Sequence, residues 1–166
     1  MKRPTGLFVV LLAAVAAAVF TPAATATAPV KSQYTFTATS VLTDVCPFDV
    51  TVDSTVSNTE IDFFDESGAL TRVEVHSVEQ DTFSANGKSL TGVPFTFNVE
   101  ILFDSSGNLT HAFASGLVEK VPLPDGSLFI SAGRVDFAAH GFPQFIITPD
   151  VGGTVNLAGF CAALSP

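Results

Sequence analysis

The stretch Phe95-Thr96-Phe97-Asn98-Val99-Glu100-Ile101-Leu102-Phe103 decides the fold class. Large apolar side chains stand at every second position through Phe95, Phe97, Val99, Ile101 and Phe103, with Thr96, Asn98 and Glu100 between them. Successive side chains of a strand point to opposite faces, so this two-residue period predicts a strand with one apolar face turned inward. The same pattern recurs upstream. Phe48, Val50 and Val52 alternate with Asp49, Thr51 and Asp53, and Val73 and Val75 alternate with Arg72, Glu74 and His76. Beyond the N-terminal apolar run, no segment keeps a 3.6-residue apolar period over three turns.

The punctuation between these runs belongs to hairpins. Asn86 and Gly87 separate two polar-apolar stretches and supply the positive φ angles of a two-residue turn. Residues 65–68, 104–108 and 124–126 each combine Asp with Gly, and the middle group adds Asn, as turns require. The count is about eight to ten strands joined by short turns, in an all-β, antiparallel meander. Long strands in simple succession suit closure into a barrel, which removes exposed sheet edges. A two-sheet β-sandwich is the alternative. No glycine-rich phosphate loop or βαβ spacing points to a parallel sheet.

The N-terminus reads differently. Lys2 and Arg3 precede an unbroken apolar run of 14 residues, Leu7 to Phe20, followed by a Pro/Ala/Thr-rich stretch. A basic start, a short apolar middle and small residues are the grammar of a cleavable secretory signal helix. A membrane span needs roughly 20 apolar residues, so stable membrane insertion after cleavage is not expected. Ala-x-Ala sites end at Ala26 and Ala28, and cleavage after Ala28 would place Pro29 beside the scissile bond. The division expected is therefore a signal peptide at 1–26, a short flexible mature N-terminus at 27–33 and a single β-domain at 34–166. The protein is expected to be secreted.

Loss of Lys2 and Arg3 with the leader takes the formal charge from −9 to −11. The basic residues left are Lys31, Arg72, Lys88, Lys120 and Arg134, scattered singly. Phosphate binding needs clustered Lys and Arg, so nucleic acid is excluded as a partner. Sixteen Phe stand against one Tyr and no Trp. Phenylalanine fills apolar space without a polar partner, which suits an interior and argues against a sugar-stacking surface. Cys46 and Cys161 are the only cysteines. In an oxidising compartment an isolated pair forms a structural disulfide. Such a bridge is expected to bring the first core strand beside the last.

Few residues suggest chemistry. His76, His111 and His140 form no metal-ligand spacing, and neither a metal nor a cofactor is expected. His76 should face solvent. His111 shares strand parity with Leu109, Phe113 and Leu117 and so should turn toward the apolar side. Arg134 and Asp136 share parity with Leu128, Ile130 and Ala132, while Phe129, Val135 and Phe137 take the other face; which face is interior stays open. His111, Arg134 and Asp136 are the candidate ligand-binding residues, with a surface ion pair the competing account of the last two. Asp62, Asp65 and Glu66 do not follow the ligand spacing of a calcium loop. No Gly-x-Ser-x-Gly elbow or other catalytic set is visible, and no catalytic residue is assigned. Asn108, Leu109 and Thr110 match a glycosylation acceptor.

Cys46-Pro47-Phe48, the hairpin over 82–92, Ala132-Gly133-Arg134 and the closing Phe160-Cys161-Ala162-Ala163-Leu164 together resemble a set of small secreted actinobacterial proteins that carry a terminal cysteine pair. The resemblance spans nearly all of the chain after the leader. It implies secretion and the terminal staple, and transfers no activity. The leading functional expectation is a non-enzymatic domain that binds a small apolar ligand or a surface partner. A cyclase or isomerase with an apolar substrate in the barrel, resembling allene oxide cyclase, is one alternative at the level of fold analogy. A structural or interaction protein of the cell envelope is the other.

Overall fold

The alternating pattern of residues 95–103 becomes a strand at the middle of one continuous antiparallel sheet. The computed structural model describes residues 27–140 and 151–166. Along the chain the elements are β1 (Val30–Leu42), β2 (Val50–Phe64), β3 (Leu70–Ala85), β4 (Lys88–Thr91), β5 (Phe95–Phe103), β6 (Leu109–Pro122), β7 (Leu128–Asp136), α1 (Phe137–His140), β8 (Val151–Val155) and α2 (Leu157–Leu164). The sheet order is β1-β2-β3-β5-β6-β7-β8, and every neighbouring pair is antiparallel. β4 and β5 follow one another along the same edge of β3, β4 opposite Thr82–Ala85 and β5 opposite Arg72–Glu79. The eight strands and the meander agree with the sequence. The leader expected at 1–26 lies outside the described residues.

The expected turns form. Asn86 (φ 52°) and Gly87 (φ 77°) make the two-residue hairpin between β3 and β4. Asp65, Asp104 and Asp125 each bend their loop by accepting a backbone N–H two residues on, from Ser67, Ser106 and Ser127.

Barrel closure does not occur. Among the described residues β1 pairs only with β2 and β8 only with β7, so the sheet is open, with β1 and β8 as its edges. It is one sheet and not the two of a sandwich. The sheet is nonetheless strongly curved, since side chains from β1, β2, β3, β5, β6 and β7 face one shared cavity. β1 begins at Val30, so 30–33, expected to be a flexible lead-in, belong to the edge strand opposite Thr59–Asp62.

The packed core sits at one end of this trough. Val50 and Val52 from β2, Phe83 from β3, Leu90 from β4, Val121 from β6 and Phe129 from β7 meet Phe160 and Leu164 of α2. Phe160 lies edge-on to Phe83 and tilted on Phe129, with ring centroids 5.1 and 4.7 Å apart, a geometry aromatic pairs favour. α1 and α2 are the helices that the sequence pattern misses: at four and eight residues they are too short to show a period over three turns. Asn156 caps α2, accepting from Gly159 N at 3.1 Å while its amide donates to Ser127 at 2.8 Å.

The Cys46–Cys161 disulfide is present, with Cα atoms 5.5 Å apart. It ties the β1–β2 loop to α2, not the first strand to the last as expected. Closing a loop of 115 residues stabilises by about 4–5 kcal/mol in the chain-entropy picture. Asn86 and Lys88 of the β3 hairpin donate to the Leu164 and Ser165 carbonyls, fixing the far end of the helix. The helix is thus a plug held from both sides.

Candidate functional site

At the end of the trough away from α2 the apolar faces do not meet. They line a cavity of about 430 Å³ bounded by Phe36 on β1, Val56 on β2, Val75 on β3, Phe95, Phe97, Val99 and Ile101 on β5, and Val135 on β7, among others. This explains an uneven burial along β5. Phe95 is buried, but Phe97, Val99 and Ile101 on the same face are only half-buried, because they form a wall and not a packed layer. Tyr34 and Phe36, stacked 6.2 Å apart on the edge strand, remain more than two-fifths exposed. Such aromatics at the rim of an apolar hollow are a binding-site feature.

Polar groups enter the cavity at defined points. Ser54, Asn58 and Glu60 come from β2, Ser77 and Glu79 from β3. Ser77 Oγ donates to Asn58 at 2.8 Å, and Tyr34 donates its hydroxyl to Glu60 at 2.7 Å. Among the described residues no Lys, Arg or His lines the space.

Behind Glu79, between the cavity and the core, lies a cluster of carboxyls. Val73, Val75, Ser77, Glu79, Asp81 and Phe83 share the inward parity of β3, which carries two acids into the interior. Asp81 is fully buried, and so is Glu119 on β6. Glu119 reaches the inner face because the β6–β7 ladder slips between Leu117 and Glu119, which moves the inward set from Ala112 and Ala114 to Glu119 and Val121. Gly92 leaves it room: a Cβ there would lie 2.6 Å from Glu119 Oε1. Burial, then the neighbouring Asp81, pushes Glu79 up to about 8; burial, then the hydrogen bond and charge of Asp81, pushes Glu119 up to about 10.

Those protons account for the hydrogen bonding. Glu119 Oε1 accepts from Lys120 N at 2.9 Å, but Glu119 Oε2 and both side-chain oxygens of Asp81 meet no donor when all three acids are written as carboxylates. A protonated Glu79 or Glu119 supplies the O–H that Asp81 needs. The arrangement is therefore a set of acids sharing protons.

The residues that the sequence singles out lie elsewhere. His111 is exposed, opposite Leu102 on the outer face, and the apolar inward partners in β6 are Ala112 and Ala114. The expected inward turn of His111 is reversed: His111 lies on the outer face beside Phe113, and a ladder slip next to Phe103 breaks the parity that the sequence extends to Leu109. Phe129, Ser131 and Val135 are the buried set of β7, which settles that Arg134 and Asp136 lie on the outer face. There His111 stacks on Phe113, with centroids 5.2 Å apart, and the Arg134 guanidinium sits 3.7 Å from the centre of the same ring. Asp136 accepts from Ala139 N at the start of α1. His111 and Arg134 thus meet at Phe113, and none of the three lines the cavity. His76 is exposed as expected, bonded to Asn98.

Glu79 and Asp81 could be found by extending the parity of Val73 and Val75 along an unbroken strand. Glu119 could not, because the slip that turns it inward has no sequence signal. Among the described residues no group of three or more His, Cys, Asp or Glu is placed to hold a metal ion, and no helix is long and apolar enough to cross a membrane. Comparison with protein-family models, curated proteins and solved structures finds no match.

Proposed function

We propose that this chain is an exported β-domain that holds a small, largely apolar molecule in its trough. The observation that carries the reading is the cavity of about 430 Å³ walled by Phe36, Phe95, Phe97, Val99 and Ile101, at the end of the sheet that the core leaves unfilled. Its size falls within the range of small-molecule sites, and its polar groups come from β1, β2 and β3, leaving the β5 wall apolar. Export is supported by the basic-then-apolar N-terminal sequence and by a disulfide, a bond that persists in oxidising compartments. The resemblance to secreted actinobacterial proteins agrees with it.

A neutral solvatochromic dye should bind one per chain, and Val99→Asp, which sets a charge into the wall without touching the core, should weaken it about tenfold or more. Equal binding to both proteins would place the dye elsewhere and remove the reading.

One observation favours an enzymatic version of the same site. Glu79 is a carboxyl that keeps its proton near neutral pH at the edge of an apolar cavity, the property of a general acid. An isomerase or cyclase would return the bound molecule rearranged; a binding protein returns it unchanged.

A further inference from the structure

The carboxyl cluster bears on what kind of molecule the cavity takes. Three acids, Glu79, Asp81 and Glu119, stand together with no cationic side chain among the described residues lining the space they adjoin, and Glu60 adds a fourth acid on the cavity wall. A buried unpaired acid is costly, and packing alone would be served better by apolar residues at these inward positions. A second observation is independent of the acids. Ser131 on β7 is fully buried, its hydroxyl has no partner, and it stands directly opposite Glu119 in the ladder. Side chains of opposed residues share one face, so an unpartnered hydroxyl from a third strand is aimed at the acid cluster behind the cavity.

We propose that the cavity selects an amphiphile with a cationic head: an apolar chain lies against Phe95, Phe97, Val99 and Ile101, and an ammonium group is seated against Glu79, with Asp81 and Glu119 behind it. This rests on reading the cavity as a binding site. Charge complementarity sets the class. The cavity offers carboxyl oxygens, hydroxyls and the Asn58 amide, with no base among the described residues to meet a carboxylate, so a fatty acid would bring a like charge to an acidic floor while a neutral alcohol would gain only hydrogen bonds.

The proton balance follows from the resting state of Glu79. The ammonium enters already charged. Glu79 then gives up its carboxyl proton to solvent and remains as the carboxylate paired to the ligand, so one proton leaves for each cation bound. The groups that face Glu79 are Ser54 from β2, Asp81 from its own strand and Glu119 from β6, with Glu60 farther along the wall. None is basic. Because Glu79 is protonated below about 8, cation affinity should rise with pH up to that point by as much as tenfold per unit and level off above it.

The test is calorimetry on the mature protein with three probes of equal chain length: dodecyltrimethylammonium, dodecanol and dodecanoate, below their micellar concentrations. The quaternary head does not titrate, so any pH dependence belongs to the protein. The cation should bind about tenfold or more tighter than dodecanol near pH 8, with affinity climbing from about pH 6; proton release, read from the dependence of the heat on buffer ionisation, should be close to one per cation between about pH 6 and 7 and fall to about half near pH 8. Dodecanoate should bind weakest. Glu79→Gln should abolish both the proton release and the pH slope and remove the advantage of the cation. If that variant fails to fold, as circular dichroism would show, the wild-type proton count still decides. Dodecanol or dodecanoate binding as tightly as the cation, or cation binding without proton release, overturns the head-group proposal and leaves the cavity reading standing. Failure of all three probes to bind overturns the cavity reading itself.

Discussion

At the scale of single residues, Asp81 and its two neighbours govern how stability responds to pH. Glu79 and Glu119 have folded-state values raised above the ordinary 4.5, so over the interval from about 4.5 to 8 the folded chain binds protons that the unfolded chain has released. Stability must then fall as pH rises through that window, by up to about 1.4 kcal/mol per pH unit for each group. The turn aspartates Asp65, Asp104 and Asp125 act in the opposite sense. Hydrogen bonds from Ser67, Asn108 and Ser127 hold them below the usual carboxylate range, so what they contribute is lost only in more acidic solution. Chemical denaturation should place maximal stability nearer pH 5 than pH 8. Asp81→Asn should flatten that slope and raise stability near pH 8 by about 1 kcal/mol or more, because it removes a buried acid that has no cationic partner. A variant that is less stable than wild type at pH 8 would contradict the shared-proton account. Two of these three acids were missed although a signal for them exists, since the inward parity of Val73 and Val75 runs on through Glu79 and Asp81. The third was hidden by the slip before Glu119.

At the scale of elements, strands whose apolar face is packed or half-packed announce themselves, and elements fixed by one contact do not. β5, β2 and the Asn86-Gly87 hairpin follow from alternation and turn chemistry alone. β7 could not be oriented from sequence, because Phe129, Val135 and Phe137 on one face balance Leu128, Ile130 and Ala132 on the other; only the arrival of Phe160 against Phe129 makes one face the interior. Gly133 has a comparable explanation. It faces Gly152 across the β7–β8 ladder, and a Cβ on either would run into the opposing backbone at Val151 or Ala132. α2 exists because Asn156, in a left-handed conformation, caps it and Phe160 and Leu164 one turn apart drop into the end of the trough. Asn156→Ala loses both the bond to Gly159 and the bond to Ser127, and thermal denaturation should show a loss of about 1–2 kcal/mol. An unchanged melting temperature would mean that the disulfide and Leu164 hold the helix without its cap.

At the scale of the whole molecule, the sheet is divided between a sealed end and an open one. α2, pinned by Cys46–Cys161 and by the hairpin contacts of Asn86 and Lys88, fills the first; the acids form a partition; the walls of β1, β2, β3, β5, β6 and β7 enclose the second. Sequence could supply strands, turns and the cysteine pair, yet it could not tell a closed barrel from an open trough, since closure depends on whether β1 and β8 meet and neither pattern encodes that. The division makes a sharp demand on phenylalanines that are alike in sequence. Ring-labelled phenylalanine NMR, with dodecanol added in steps, measures it directly. The account predicts that the resonances of Phe36, Phe95 and Phe97 move and saturate together at one ligand per chain, while those of Phe83, Phe129 and Phe160 stay in place. Shifts confined to the core rings or to Phe113 on the outer face, or no saturable shift at all, would contradict it.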